Sequence, residues 1–181
     1  MEFLPTSLPG VTIIRPKLMR DARGLFARTY CAEAFRKAGL DLTVEQMALS
    51  QNTLRGTLRG LHIIPEAVGE VKLVRCTRGA VFDVVVDLRF GSPAFGQWIS
   101  VELNAKNYQA LYLPKGLAHG FLTLVDDTEI AYQFSEPHRP GIETGLRWDD
   151  PDLAINWPFA PIVLSDRDRG LPLLAESEYA P

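Results

Sequence analysis

The sequence predicts a mainly β fold, an antiparallel β-barrel with small helices outside it. Short segments rich in β-branched and aromatic residues alternate polar and apolar positions along much of the 181-residue chain. Glycine or proline separates most of these segments, as at Gly79, Gly91, Pro114 and Pro137. Many short strands with such breaks between them are typical of sandwiches and barrels. No linker-like stretch interrupts the pattern, so we expect one domain spanning residues 1–181.

Five segments carry the strand pattern. In VFDVVVDL (81–88) apolar side chains alternate with Asp83 and Asp87, so the two aspartates share one face of the strand. The other four are KLVRCTRG (72–79), QALYLP (109–114), GFLTLV (120–125) and EIAYQF (129–134). One segment, CAEAFRKAG (31–39), has apolar residues at helical spacing and ends on a glycine. A second short helix is expected after Ser165.

Three polar side chains belong to the apolar rows of these strands. Lys72, His119 and Tyr132 each share a strand face with apolar neighbours two residues away. Burial of an unpaired ammonium group is costly, so a lysine in such a row is unusual. In a closed barrel, an inward row with these three side chains would line a pocket.

Composition excludes several classes of protein. The net charge of −3 lacks the basic excess of a general nucleic-acid binder, and no apolar run approaches the length of a membrane span. The first ten residues, MEFLPTSLPG, have no basic start followed by an apolar segment, so no secretory signal is expected. Cys31 and Cys76 form no CxxC pair, and we interpret them as small buried hydrophobes in a reducing cytoplasm.

The histidine of LRGLH (58–62) has three interpretations from the residues alone. His62 is a hydrogen-bonded structural residue, a metal ligand or a base. The metal interpretation requires that the chain's three histidines, His62, His119 and His138, converge, because the sequence has no His-x-His pair. The base interpretation requires a carboxylate that orients the ring and a substrate with an acidic proton.

Other candidates also have plain structural interpretations. Lys72 would reach solvent from the end of a barrel and pair with an acid, and Tyr132 would be a packed aromatic residue. Arg23 would belong to a turn. Asp168 follows Ser165 by three residues, which is the spacing of a capping box at the start of a helix.

Eight short stretches occur in a characteristic order along the chain. They are DARGLF (21–26), LRGLH (58–62), KLVR (72–75), FDVVVDLR (82–89), SPAFGQW (92–98), LPKGLAHGF (113–121), WDDPDLAINWP (148–158) and LSDRD (164–168). Together, from about Thr6 to about Leu174, they resemble the dTDP-4-dehydrorhamnose 3,5-epimerases. The resemblance implies a cupin-like jelly-roll barrel with short peripheral helices and a cytoplasmic homodimer. It also implies epimerisation of a nucleotide-linked 4-keto-6-deoxyhexose without a cofactor or a metal.

The resemblance also implies roles for individual residues. His62 corresponds to the catalytic base, Asp168 to the carboxylate that orients it, Tyr132 to the acid and Lys72 to the group that stabilises an enolate. The implied substrate-binding residues are Arg23, Phe26, Arg28, Gln46, Ser50, Arg59, His119, His138 and Arg167. Among these, Arg23 and Arg59 correspond to positions that bind the diphosphate, which suits the two-pronged donor of arginine.

Several pocket positions depart from the commonest family pattern. Arg28 replaces glutamate, Ala48 asparagine, Ile64 glutamine, His138 tyrosine and Arg167 lysine. The residues for proton transfer are retained, whereas groups near the nucleotide base are changed. These residues therefore leave two points open: which nucleotide base the substrate carries, and whether C3, C5 or both carbons are inverted. Alternatives are a single-position epimerase, a metal-dependent cupin and a nucleotide-sugar binding module without catalysis.

One geometric difficulty concerns LRGLH itself. On a regular strand, Arg59 and His62 would point to opposite faces, although both are candidates for one site. Gly60 between them would permit a β-bulge that redirects one of the two side chains. Alternatively, Arg59 would serve a site shared across a dimer.

Overall fold

The structure is a computed structural model that describes residues 1–180, and two antiparallel sheets form its body. The larger sheet has six strands, in the spatial order β1 (Glu2–Pro5), β2 (Thr12–Arg15), β10 (Ala110–Leu113), β7 (Lys72–Arg78), β12 (Thr128–Phe134) and β5 (Gln46–Asn52). The smaller has five, in the order β13 (Thr144–Gly145), β6 (Leu58–Ile63), β11 (Leu117–Thr123), β8 (Ala80–Asp87) and β9 (Trp98–Asn104). Apolar side chains from both sheets share one core, so the fold is a cupin-like jelly-roll barrel, and the predicted fold class is confirmed.

A separate hairpin and short helices lie outside the barrel. The hairpin strands β3 (Leu18–Asp21) and β4 (Gly24–Ala27) pair only with each other. Helix α1 (Ala32–Lys37) ends before Gly39, whose φ of +75° is easily adopted only by glycine. Helix α2 (Asp166–Arg169) follows Ser165 as predicted, and a 3-10 turn (Leu174–Glu176) comes later. None of the helices in residues 1–180 is long and apolar enough to cross a membrane.

Both faces of each large sheet are covered in part by apolar residues. Phe35 of α1 is buried against the outer face of the six-stranded sheet, although Ala38 of the predicted apolar stripe is exposed. The C-terminal segment covers the outer face of the five-stranded sheet, where it packs against Val84 and Val86. Asp83 and Asp87 share the other face of β8, and both are fully buried. The alternation predicted for this strand is therefore correct, but neither of its faces is open to solvent.

The pairing of β6 with β11 contains one extra residue on β6. His62 lies opposite His119 and Arg59 lies opposite Phe121, so three steps along β6 correspond to two along β11. Gly60 occupies this bulge with a φ of +127°, and a Cβ atom there would lie 2.6 Å from the Cα atom of Gly120. The bulge breaks the alternation of the strand, so Arg59 and His62 both line the same cavity.

Candidate active site

A cavity of about 790 Å³ opens between the two sheets of the barrel. Its wall includes eight of the residues predicted for the site: Gln46, Arg59, His62, Lys72, His119, Tyr132, His138 and Arg167. Strands β5, β7 and β12 supply side chains from one sheet, and β6 and β11 supply them from the other. The loop that follows β12 completes the wall with residues 136–143. The predicted pocket therefore exists, and polar groups converge in it from opposite sides.

His62 is held by a buried carboxylate. Its Nε2 atom lies 2.8 Å from Oδ1 of Asp168, whose side chain is 5% exposed, whereas the His62 side chain is 24% exposed. The second oxygen of Asp168 accepts a hydrogen bond from the backbone N–H of Gly60 at 3.2 Å. One carboxylate thus fixes both the ring of His62 and the bulge that directs this ring into the cavity.

At the start of α2, the backbone and the side chain of Asp168 have different partners, which tests the capping-box interpretation of this residue. The Ser165 hydroxyl accepts a hydrogen bond from the backbone N–H of Asp168 at 3.1 Å, as an N-cap should. The carboxylate of Asp168 instead makes its bonds with His62 and Gly60. Burial alone would raise the pKa of Asp168, but the hydrogen bond from His62, together with that from Gly60, holds the pKa below its ordinary value. Asp168 therefore remains a carboxylate at neutral pH.

Glu143, which the sequence did not indicate, lies on the other side of the imidazole. Its Oε1 atom is 3.7 Å from Nδ1 of His62, and its Oε2 atom pairs with Arg167 at 2.7 Å. This residue belongs to the loop before β13, where no periodic pattern distinguishes a functional carboxylate from a surface one. Nδ1 consequently faces the polar cavity, while Nε2 faces the protein interior.

A second histidine–aspartate pair adjoins the first. His119 is the cross-strand neighbour of His62, and its Nε2 atom lies 2.9 and 3.0 Å from the two oxygens of Asp83. Asp83 is completely buried and His119 is 6% exposed. A carboxylate within the valine-rich row of β8 was the available sequence signal for Asp83, because an unpaired buried carboxylate is costly.

Tyr132 occupies the sheet opposite His62. It stacks on Phe134 with 5.6 Å between ring centroids and packs against the barrel core. Burial raises the pKa of its phenol strongly, although a hydrogen bond with Ser50 opposes the shift. The hydroxyl is therefore protonated at neutral pH and can act as a proton donor.

Lys72 lies on the same sheet and is nearly buried. Its Nζ atom pairs with Glu70 at 3.2 Å, and both side chains are 12% exposed. The ammonium group also lies 5.9 Å from the ring centroid of Phe134, within the range of a cation–π contact. The sequence indicated the lysine but not its acidic partner. The pairing explains how an ammonium group is tolerated in an apolar row.

Two further side-chain contacts involve residues at opposite ends of β5. Nε of Arg59 donates a hydrogen bond to Oδ1 of Asn52 at 2.8 Å. Oε1 of Gln46 accepts from the backbone N–H of His138 at 2.9 Å, which ties the loop after β12 to the edge of the sheet. The family resemblance implied Arg59, Gln46 and His138 as site residues, but it did not indicate Asn52.

Five predicted residues do not line the cavity of their own chain. Asp168 bonds to His62 and Ser50 to Tyr132, so these two contact residues of the cavity wall. The other three lie in or next to the separate hairpin. Arg23 and Phe26 belong to the separate hairpin, and Arg28 follows it. The Arg23 side chain is 90% exposed and pairs with Asp21 at 2.6 Å, and Phe26 is 64% exposed. No sequence signal separates a side chain that enters its own pocket from one that projects away from the body.

The three histidines do not form a common metal site in this fold. His62 and His119 each bond to a separate aspartate, and His138 lies on the loop after β12. Within residues 1–180, no group of three or more histidine, cysteine or acidic side chains is arranged to hold a metal ion. The donor arrangement therefore gives no support to the metal-dependent alternative.

Comparison with known proteins agrees with this geometry. The family model described as dTDP-4-dehydrorhamnose 3,5-epimerase matches residues 5–176. A protein of that name from Sinorhizobium fredii is 45% identical over 97% of this chain and 91% of its own length. A dTDP-4-dehydrorhamnose 3-epimerase from Streptomyces niveus is 41% identical over 99% of this chain and 87% of its own.

A solved structure extends the similarity to three dimensions. The crystal structure of dTDP-4-dehydrorhamnose 3,5-epimerase from Bacillus anthracis, with TDP and PPi bound, matches with a TM-score of 0.92. It is 38% identical, and the match covers 96% of this chain and 99% of that one. The two folds therefore agree over nearly the whole length of both proteins. This chain belongs to the dTDP-4-dehydrorhamnose 3,5-epimerase family.

Proposed function

We propose that the protein epimerises a dTDP-linked 4-keto-6-deoxyhexose at C3 and C5, with His62 as base and Tyr132 as acid. The observation that carries the proposal is the orientation of His62. Its Nε2 atom is bound by the carboxylate of Asp168, which only accepts hydrogen bonds, so the ring proton belongs on Nε2. Nδ1 is then the unprotonated nitrogen, and it faces the cavity beside Glu143.

The proposed reaction uses groups from both sheets. The 4-keto group acidifies the hydrogens on C3 and C5, and Nδ1 of His62 removes one of them as a proton. The electron pair moves onto the keto oxygen to give an enolate, whose charge the ammonium group of Lys72 stabilises. Tyr132, on the facing sheet, donates a proton to the opposite side of the carbon, which inverts it. Loss of the proton from His62 and its return to Tyr132 from solvent complete the turnover.

The same cavity has groups suited to the rest of the substrate. Arg59 and Arg167 line its wall and supply the fork of donors that a diphosphate accepts. Inversion at C3 alone is a second candidate function, because the Streptomyces niveus relative of similar identity is named a 3-epimerase. A binding module without catalysis would have no need of an imidazole and a phenol on opposite sides of the ligand.

Deuterium exchange tests the proposed function directly. Incubation of the protein with dTDP-4-keto-6-deoxyglucose in heavy water is expected to introduce deuterium at C3 and C5, with inversion at both carbons. Mass spectrometry and proton NMR locate the label. A parallel incubation with the UDP-linked sugar tests which nucleotide base the protein prefers. Label at C3 alone would favour the single-position epimerase, binding without label would contradict the proposal, and loss of activity with a chelator would favour the metal-dependent alternative.

Substitution of Tyr132 with phenylalanine is expected to separate the two proton transfers. The variant keeps the packed ring but lacks the opposite-face donor, so inversion should fall by about 10²-fold or more. Removal of substrate protons by His62 should persist in part. The measurement compares loss of deuterium from labelled substrate with formation of inverted product. Inversion at the parent rate would mean that Tyr132 is only a packed aromatic residue.

We further propose that the protein is a homodimer in which each hairpin completes the partner's cavity. Three features support this assembly: the exposed hairpin residues Arg23 and Phe26, the exposed Met47 and Leu49 on edge strand β5, and two buried polar atoms. These atoms, Nε of Arg75 and Oε1 of Gln133, have no hydrogen-bond partner within residues 1–180. Arg75 lies on β7 and Gln133 on β12, which is the neighbour of edge strand β5, so a second copy on this face would supply partners.

Subunit mixing tests the shared site. The variants Arg23→Ala and His62→Ala should each be poorly active or inactive as homodimers. After random exchange, about a quarter of all sites would combine an intact hairpin with an intact His62, so activity should reappear. Sedimentation gives the oligomeric state, and differently tagged chains verify the exchange. A monomer in solution, or verified mixed dimers without recovered activity, would contradict the proposal.

A further inference from the structure

Asn52 is a buried polar residue next to the cavity that the proposed reaction does not use. It is the last residue of β5 and is 2% exposed. Its Nδ2 atom donates to the carbonyl of Thr128 at 3.2 Å and lies 3.4 Å from both oxygens of Ser50. Its Oδ1 atom accepts from Nε of Arg59 at 2.8 Å. The amide therefore connects β5 of one sheet with β6 of the other.

Arg59 is held although it is exposed. Besides the bond to Asn52, its Nη2 atom reaches the backbone oxygen of Gln51 at 3.5 Å, which is a long contact. An arginine side chain normally loses rotamer freedom when it binds a ligand, and a bond formed beforehand at Nε removes part of that cost. The outer Nη edge of the guanidinium group remains for two acceptor oxygens. The side chain is thus preorganised before a ligand arrives.

The partner of Arg59 differs from those of the other candidate arginines. Arg23 pairs with the carboxylate of Asp21, and Arg167 pairs with that of Glu143. Asn52 holds Arg59 with a neutral amide, which fixes the guanidinium group without offsetting its positive charge. A full charge at a fixed position is what recognition of an anionic diphosphate requires.

We infer that Asn52 is a positioning residue that holds Arg59 so that its Nη edge faces the substrate diphosphate. The inference rests on the proposed function, in which Arg59 binds this group. In this role, a neutral buried residue contributes to the preference of the site for ligands that carry a diphosphate. Asn52 acts through Arg59 and contacts neither the sugar nor the reacting carbons.

Calorimetry with thymidine diphosphate and thymidine tests the inference. Asn52→Ala should weaken binding of thymidine diphosphate by about tenfold, equivalent to about 1.4 kcal/mol, and should leave thymidine binding within about twofold. KM should rise while kcat is largely retained, because the lost interaction is present in both the ground state and the transition state. Thr53→Ala, on the next and exposed residue, is the matched control and should change neither ligand.

A double-mutant cycle separates positioning from a general structural role. In an Arg59→Ala background, Asn52→Ala should cause no further loss of diphosphate affinity. An equal loss in both backgrounds, or equal weakening of thymidine and thymidine diphosphate, would overturn the inference. Failure of the proposed function would be seen differently, as absence of epimerisation by the unaltered protein.

A measurement on the unaltered protein covers the case in which Asn52→Ala does not fold, since this change also removes the donor to Thr128. The Nε–H signal of Arg59, assigned by its loss in Arg59→Lys, should exchange with solvent at least about tenfold more slowly than that of the exposed Arg20. Equal exchange of the two signals would mean that Asn52 does not hold Arg59, and would overturn the inference.

Discussion

Replacement of His62 with alanine is expected to lower hydrogen exchange at C3 and C5 by at least about 10²-fold. Asp168 holds Nε2 of His62, so that Nδ1 faces the cavity beside Glu143 and can take a proton, which alanine cannot do. The same base is proposed for both carbons, so exchange should fall at both. Deuterium incorporation from heavy water, measured separately at each carbon, gives the effect.

The fold of the His62→Ala variant should be preserved, because the side chain is partly exposed and belongs to a cavity wall. Circular dichroism and binding of thymidine diphosphate verify this, since the proposed diphosphate contacts do not involve the imidazole. A variant that binds the nucleotide normally and exchanges both hydrogens at the parent rate would reject His62 as the base. Exchange lost at only one carbon would indicate a second base for the other.

Replacement of Asp168 with asparagine is expected to reduce turnover by about 10²-fold or more while changing stability little at neutral pH. Asparagine occupies nearly the same volume, and the backbone N–H that bonds to Ser165 is retained. The variant lacks the negative charge that keeps the proton of His62 on Nε2 and stabilises the imidazolium. Steady-state kinetics and thermal unfolding, measured on the same preparations, separate the two effects.

The lowered pKa of Asp168 gives this variant a pH signature. A carboxylate whose pKa is lower in the folded protein contributes stability above its unfolded value, 3.8, and loses that contribution as the pH falls through the folded pKa. Any stability advantage of the parent over Asp168→Asn should therefore be present at neutral pH and disappear in strong acid. Thermal unfolding followed from neutral to acidic pH measures this difference.

Ser165→Ala is the matched control for Asp168→Asn. It removes the cap of α2 and should lower stability by about 1 kcal/mol, but it leaves the carboxylate beside His62. Its turnover should therefore exceed that of Asp168→Asn. If Asp168→Asn retained parental turnover, the carboxylate would not serve the base, and the helix cap would be the remaining role of this segment.

Local periodicity was sufficient to predict the inward row of the larger sheet. Lys72 and Tyr132 follow the alternation of β7 and β12, because a regular strand directs every second side chain to the same face. The short helix after Ser165 was predictable for a similar reason, since its capping hydrogen bond spans only three residues. These parts of the site depend on neighbours close in sequence.

The residues that sequence reasoning missed depend on contacts between distant segments. Asp83 becomes a partner of His119 only when β8 pairs with β11, 36 residues away. Asn52 meets Arg59 across the two sheets, and Glu143 approaches His62 from an irregular loop. The hairpin residues differ again, because their proposed ligand contacts require a second chain. The alternation of side chains within one strand does not predict any of these long-range contacts.

The extra residue in β6 has a consequence for transfer of this chemistry to other barrels. Asp168 bonds to the ring of His62 with one oxygen and to the backbone of Gly60 in the bulge with the other. The direction of the His62 ring into the cavity is therefore specified by one side chain from a segment 106 residues distant. A designer who grafts the histidine and aspartate onto a regular strand would obtain the hydrogen-bonded pair, but the imidazole would not point into the cavity. The smallest portable unit comprises the irregular strand, the glycine within it and the start of the C-terminal helix together.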